Sequence, residues 1–363
     1  VAKYRVGIIG LGRIASTIDD EVQGHPTVAL PYSHMACYSE VDQVEVVAGA
    51  DPFEQQRNDF GARWGVENLY ADYREMLEKE NLDIVSIATS AKPRPAILAE
   101  VAKYPVKLIF AEKPLATSLA EADEMVALCR ERGVKLAVGC TRRWDAWWTM
   151  ARSIIASGQI GQLLQINAMG NAGISHNGSH LIDLIRFLTG NEPIDWVFGE
   201  AESDELAISD DDLRMNGYLA FRNGVRCFIR TWPAGAASEW SVDIAGETGT
   251  LRASANGGDI EWWSVVEKGM PVRRPIPRPQ RILSPGVNAV HDFIAAIETG
   301  KKPECAGEDG VAALEVAIAL RESHRLGGRR VELPLVDRSL GIRSAETLRG
   351  DLPVAIRRAQ EGA

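Results

Sequence analysis

Five short apolar runs, each separated from the next by polar or helix-like sequence, fill the first 140 residues. This alternation constrains the fold more tightly than any other feature of the chain. The runs are Arg5–Ile9, Gln43–Ala50, Asp83–Ala88, Val106–Phe110 and Lys135–Cys140. They are continuously apolar, as expected of parallel strands covered on both faces. The clearest intervening helix is Leu119–Arg132. Ser118 and Glu121 form a Ser-x-x-Glu capping box at its start, and Gly133 supplies the stop. Leu119, Ala122, Val126 and Cys129 mark one apolar face. Strands alternating with helices predict an α/β domain with a doubly wound parallel sheet.

The pattern changes after about residue 141. Helical segments end near Gly158 and run over Asn177–Leu188, stopping at Gly190. Half-buried strands follow at Tyr218–Phe221, Val225–Thr231, Ser241–Ile244, Gly246–Leu251 and Glu261–Val266. Asn223-Gly224 between two of these reads as a two-residue hairpin turn. Val290–Thr299 and Val311–Leu326 return to helix, and Val331–Leu335 adds a last strand. The expectation is therefore an α+β second domain with a large, mainly antiparallel sheet. At 363 residues the chain has enough length for two cores. The expected division is residues 1–141 for the parallel-sheet domain, 142–335 for the second, and 336–363 for a charged C-terminal arm.

Forty Lys and Arg against fifty Asp and Glu give a net charge of −10. An acidic surface repels phosphate backbones and anionic lipid, so neither nucleic acid nor a membrane is an expected partner. No apolar run approaches the roughly 18 residues of a membrane-spanning helix. The N-terminal apolar stretch is broken by Gly7, Gly10 and Gly12, which fits a buried first strand better than a signal segment. Cys37, Cys129, Cys140, Cys227 and Cys305 are widely spaced and include no close pair. They read as reduced, buried thiols of a cytoplasmic protein.

Chemistry gathers at three places. Gly10-Leu11-Gly12-Arg13-Ile14-Ala15 has the form GxGxxA directly after the first run. Gly10 permits a tight turn, Gly12 lets a pyrophosphate approach the backbone, and Ala15 lets the next helix pack closely. The helix start then offers unpaired N–H groups to phosphate. Asp51 ends the second run, where a carboxylate accepts both ribose hydroxyls and repels a 2′-phosphate, favouring NAD over NADP. The alternative for Asp51 is a plain Asp-Pro turn. Roughly Thr17 to Ser33 is extra chain at the cofactor end of the first crossover, either a lid or a surface insertion. Glu112-Lys113-Pro114 ends the fourth run and so brings a lysine to the ligand-binding edge of a parallel sheet. Pro114 keeps Lys113 in extended backbone. Finally, His176-Asn177-Gly178-Ser179-His180-Leu181-Ile182-Asp183 puts His180 in the first turn of a helix, where the positive helix end favours the neutral ring. No metal is expected there, because Asn177-Gly178 separates His176 from the helix. Asp183 either orients His180 or faces solvent.

Taken together, these motifs resemble the Gfo/Idh/MocA oxidoreductase family. Thr141-Arg142-Arg143-Trp144 is similar to its Asn-Arg-Arg-aromatic segment, and Gly246-Glu247-Thr248-Gly249-Thr250-Leu251 to its Gly-Thr-Glu-Gly-Ser-Leu hairpin. Gly307-Glu308-Asp309-Gly310 resembles its late helix start. The resemblance implies a Rossmann domain followed by an open-sheet domain through which homodimers or homotetramers form. It implies NAD-linked oxidation or reduction of a secondary alcohol in a sugar, cyclitol or glycoside. Lys113 and His180 take the catalytic positions, and Thr89 touches the nicotinamide half of the cofactor. Where the family often has Asp four residues before the histidine, this chain has His176. The expected cofactor set is Gly10, Gly12, Arg13, Ile14, Asp51, Thr89, Glu112, Lys113 and Arg142.

Hydride removal from a carbinol carbon requires its oxygen to lose a proton. His180 is the candidate base, Lys113 the group that stabilises developing alkoxide, and His176 a relay or second hydroxyl contact. Most tryptophans, among them Trp196, Trp232, Trp240, Trp262 and Trp263, read as core or subunit interface. Trp144, with Trp147 and Trp148, is the candidate apolar wall for a sugar ring. Two other readings share the fold. One is glycoside cleavage through transient oxidation by tightly held NAD; the other is a non-catalytic NAD- or sugar-sensing protein.

Overall fold

A computed structural model describes residues 3–25, 28–170, 172–205, 214–231, 240–254, 260–266, 269–276 and 282–342. Pro26 of the insertion, Trp232 and the arm beyond residue 342 lie outside the described residues. The chain divides into two compact units, Val1–Trp144 with Leu283–Val311, and Asp145–Ile282 with Ala312–Ala363.

The first unit is built on six strands: β1 (Tyr4–Ile9), β2 (Val44–Ala50), β3 (Asn68–Tyr70), β4 (Ile84–Ile87), β5 (Leu108–Ala111) and β6 (Lys135–Val138). All neighbours are parallel, in the order β3-β2-β1-β4-β5-β6. Strand order reverses between β1 and β4, so their carboxyl ends open the crevice where such sheets take ligands. Val6, Ile8, Ile84, Val85, Leu108 and Ile109 are fully buried, which accounts for the continuous apolar runs. Strand β3 has no such run because it is a three-residue outer strand with Asn68 exposed. Helix Leu119–Arg132 starts and stops as expected, with both halves of the capping box formed and Gly133 left-handed at φ 69°.

Leu283–Val311 rejoins this unit through helix Pro285–Thr299. Phe293 on that helix packs against Phe110 at 4.8 Å and edge-on to Trp144 at 5.8 Å.

The second unit carries nine strands: β7 (Leu163–Met169), β8 (Ile194–Ala201), β9 (Met215–Phe221), β10 (Arg226–Arg230), β11 (Ser241–Gly246), β12 (Gly249–Ser254), β13 (Ile260–Val265), β14 (Pro271–Arg274) and β15 (Val331–Glu332). They run β14-β13-β12-β11-β7-β10-β9-β8-β15, and β10 lies parallel to β7. One face is apolar and buried, with Ile166, Val197, Leu219, Cys227, Ile229 and Ile244 pointing inward. Leu320 of helix Gly307–Arg325 lies against that face so closely that a Cβ on Gly199 would clash with its carbonyl.

The β9–β10 hairpin differs from the two-residue turn expected at Asn223-Gly224. Phe221 pairs with Val225, the Gly224 N–H donates to the Phe221 carbonyl at 3.1 Å, and only Gly224 of the two has positive φ, at 94°. The loop is thus three residues long, a turn closed by a left-handed glycine bulge. Asn223 serves differently, its side-chain oxygen accepting the Val225 N–H at 3.1 Å. The described part of the C-terminal arm stays on its own unit, where Glu315 accepts from Leu335 N–H and pairs with Arg338. All five cysteines are free and buried. Among the described residues no helix is long and apolar enough to cross a membrane.

Candidate active site

The glycine turn closes the carboxyl end of β1. Gly10 donates to the Ala50 carbonyl at 2.8 Å with φ at 86°, and a Cβ there would lie 3.1 Å from the Thr89 nitrogen. Gly12 is the opposite case: nothing lies within 4 Å of where its Cβ would be. Its backbone therefore faces open space, as a close-approaching pyrophosphate needs. Ala15 is fully buried, whereas Arg13 is exposed and pairs with Glu21 at 2.7 Å. Ile14, between them, is half-buried.

Asp51 is buried at the end of β2 and holds the turn from below. One carboxylate oxygen accepts the Leu11 N–H at 2.9 Å and the other the Phe53 N–H at 2.9 Å. Each oxygen keeps further lone-pair capacity for a ribose hydroxyl. The sequence does not reveal the link to Leu11, since the partners are 40 positions apart.

Thr89 follows β4 directly beside Gly10. Its carbonyl accepts from Arg94, whose guanidinium also donates to the carbonyls of Pro114 and Leu115. Arg94, 1% exposed, thus ties the loop after β4 to the loop that carries Lys113. Nothing in Pro93-Arg94-Pro95 distinguishes it from a solvated arginine, and sequence reasoning missed it.

Glu112 extends β5, its N–H donating to the Ile87 carbonyl at 3.1 Å. Its carboxylate is packed so tightly that a Cβ on Gly139 would lie 2.7 Å from Oε1. Burial pushes this carboxyl up, but the hydrogen bond from His34 and the charges around it, Lys113 and Arg94 included, outweigh burial and hold it down at about 2. His34 Nε2 lies 3.1 Å from Glu112 Oε1, and the Lys113 N–H donates to Oε2 at 3.3 Å. The Lys113–Pro114 peptide is cis, and the Lys113 side chain is half-buried. His34 was also missed, because it follows the insertion rather than any recognisable motif.

In the second unit, helix Gly178–Leu188 presents His180 in its first turn. Gly178 is required: its N–H donates to the Gly173 carbonyl at 2.8 Å, and a Cβ would lie 2.7 Å from that oxygen. His180 is buried, and its N–H donates to Asn177 at 3.0 Å. His176 sits in the preceding turn, half-buried, as the Asn177-Gly178 break implies. Asp183 does not face solvent; it is fully buried, with Arg186 4.0 Å away.

One expectation changes on the short helical turn Thr141–Trp144. Trp144, expected as a sugar-facing wall, is a core side chain, 6% exposed, with its indole N–H donating to Asp292 at 2.9 Å. Arg142 is buried, while its neighbour Arg143 braces the returning segment through Asp309 at 3.1 Å. The structure thus gathers Gly10, Gly12, Asp51, Thr89, Glu112 and Lys113 at one sheet edge, and His176 and His180 at one helix start.

Comparison with known proteins gives two family models. Residues 4–140 match an oxidoreductase family, NAD-binding Rossmann fold, and residues 167–333 match an oxidoreductase family C-terminal alpha/beta domain. Among relatives, the D-apiose dehydrogenase of Paraburkholderia graminis is 28% identical, covering 83% of this chain and 86% of its own. The myo-inositol 2-dehydrogenase of Thermotoga maritima is 25% identical, covering 88% and 96%. The crystal structure of an Agrobacterium radiobacter oxidoreductase in complex with NAD+, L-tartaric acid and magnesium superposes with a TM-score of 0.74 at 19% identity, covering 91% and 98%. That likeness is one of fold.

Proposed function

The chain belongs to the Gfo/Idh/MocA oxidoreductase family, and from that premise we propose that it is an NAD-dependent dehydrogenase of a sugar or cyclitol secondary alcohol. The observation that carries this reading is the edge of the parallel sheet, where an uncovered Gly12 backbone, a braced Asp51 and the Glu112-Lys113 loop lie side by side. The substrate class follows the relatives, which are named as dehydrogenases of apiose and inositol.

A bound nicotinamide dinucleotide supplies the hydride acceptor. Every other task falls to the chain. The Gly10–Gly12 turn and the helix start after it, with Arg13 and Ile14, receive the phosphates. Asp51 accepts the ribose hydroxyls and disfavours a 2′-phosphate, which makes NAD the preferred form. Thr89, Glu112 and Arg142 frame the nicotinamide half. The Lys113 ammonium donates to the carbinol oxygen and stabilises the charge that grows on it. His180 takes the hydroxyl proton, and His176 holds a neighbouring hydroxyl. Trp144, being in the core, drops out of the substrate set. We also infer that a second copy of the chain covers the outer face of the nine-stranded sheet. Five free, buried thiols fit a reducing cytoplasm.

The test is NADH formation across sugars and cyclitols, followed by single substitutions. Lys113→Ala and His180→Ala should each lose at least about a hundredfold in kcat, with NAD affinity nearly unchanged in His180→Ala. Wild-type turnover in His180→Ala removes the assigned base. Equal affinity for NADP and NAD removes the role given to Asp51.

A further inference from the structure

Glu112 belongs to a longer buried chain of polar groups. Tyr38 Oη lies 3.0 Å from Ser86 Oγ, Ser86 Oγ lies 3.2 Å from His34 Nδ1, and His34 Nε2 lies 3.1 Å from Glu112 Oε1. Tyr38, Ser86 and His34 are 2%, 0% and 5% exposed. Ser86 is the single polar residue of the Ile84–Ile87 strand, and an apolar side chain there would serve the sheet as well. An ionised carboxylate only accepts, so Nε2–H is the donor to Glu112, and the Ser86 and Tyr38 hydroxyls complete the chain as donor or acceptor. Every group is satisfied, so the chain is rigid rather than costly. The ring also packs against Phe110, with centroids 4.7 Å apart.

We propose that His34 is a positioning residue: it bridges β4 to the end of β5 and fixes the Glu112 carboxylate that in turn orients the Lys113 loop. With Oε1 engaged by His34 and Oε2 by the Lys113 N–H, the carboxylate is held at both oxygens. The titratable groups facing it are His34 from helix His34–Ser39, Lys113 from its own loop and Arg94 from helix Arg94–Val101. The bridge also gives the Thr17–Ser33 insertion a mechanical link to this edge. Asp19 accepts the N–H groups of Tyr32 and Ser33 at 2.7 and 3.0 Å, and the Ser33 hydroxyl caps the helix that carries His34.

The inference rests on the proposed role of Lys113, so the test has an arm that needs no turnover. In protein labelled with 13C at the glutamate carboxyl carbons, Glu112 is assigned by its loss in Glu112→Gln and titrated by NMR. In the wild type it should remain ionised over about pH 4 to 8. In His34→Phe burial is no longer offset by Nε2–H, and its midpoint should rise from the wild-type value, with Lys113 and Arg94 still opposing burial. In the second arm, His34→Phe should lose about tenfold to a hundredfold in kcat with KM changed less than about threefold. His34→Gln, which restores one N–H donor to the carboxylate, should recover much of the loss. If His34→Phe does not fold, His34→Asn, whose shorter amide cannot span Ser86 and Glu112, replaces it in both arms. An unchanged Glu112 titration, a kcat within about twofold of wild type, or no recovery in a stable His34→Gln overturns the proposal. Absence of turnover by the wild type on every polyol would instead count against the dehydrogenase reading, and the carboxyl titration would still decide whether His34 holds Glu112.

Discussion

Gly10 and Gly12 share one motif and obey different physics. Gly10 has a left-handed backbone and Thr89 pressed against it, so Gly10→Ala is strained by its φ and crowded by its neighbour. We expect a loss of about 1–3 kcal/mol in folding stability, read by urea denaturation. Gly12 has a negative φ of −77° and empty space where a side chain would go. Gly12→Val should therefore change stability by less than about 1 kcal/mol and yet weaken NAD at least about tenfold, read by fluorescence titration. If Gly12→Val binds NAD as the wild type does, the cofactor does not pass over this turn. Both glycines and their separate roles are legible in the sequence, but the crowding at Gly10 is not, because it depends on Thr89 arriving from another strand. Trp144 teaches the same lesson. Its place in an aromatic cluster suggested a binding wall, and its actual partner is Asp292, 148 positions away.

At the scale of elements, what is local is readable. Ser118 accepts from the Glu121 N–H, and Glu121 accepts in return from the Ser118 N–H at 3.1 Å and from Thr117 at 2.9 Å. Ser118→Ala should destabilise the protein by about 1 kcal/mol, measured by the same denaturation, with NAD affinity unchanged. A loss below about 0.3 kcal/mol would show that water replaces the cap. The ends of this helix were predictable because each cap signal is local, whereas Met125 rather than Val126 completes its buried face. Strands β7 and β8 escaped sequence reading, since apolar side chains occupy exposed positions in both: Leu164 and Met169 in Leu163–Met169, and Phe198 in Ile194–Ala201. Outward apolar residues erase the period-2 signal that marks a half-buried strand.

For the whole molecule, those same outward side chains form the surface proposed for a second copy of the chain. Phe198, Tyr218 and Phe228 are cross-strand neighbours on β8, β9 and β10, and Trp196 stacks on Tyr218 at 5.4 Å. Phe198 and Phe228 remain 41% and 47% exposed, an aromatic surface of the kind that marks an interface. A Phe198→Glu, Phe228→Glu double variant should be monomeric by light scattering while the wild type is a dimer or larger, with little change in melting temperature. A wild-type monomer at micromolar concentration would refute the assigned surface.

The parallel sheet, the glycine turn, the Glu112-Lys113 loop and the capped helix are all legible in the sequence, because the forces behind them act between residues a few positions apart or repeat with a fixed period. The return of Leu283–Val311 to the first unit, the Leu11–Asp51 brace, the Arg94 clamp and the His34–Glu112 bridge are not. Glu112 and His34 stand 78 positions apart and meet because helix His34–Ser39 seats His34 on Ser86 of β4 and Phe110 of β5. Hydrogen bonds between such distant groups leave no periodic trace along the chain, and they exist only once hydrophobic burial has drawn its strands together.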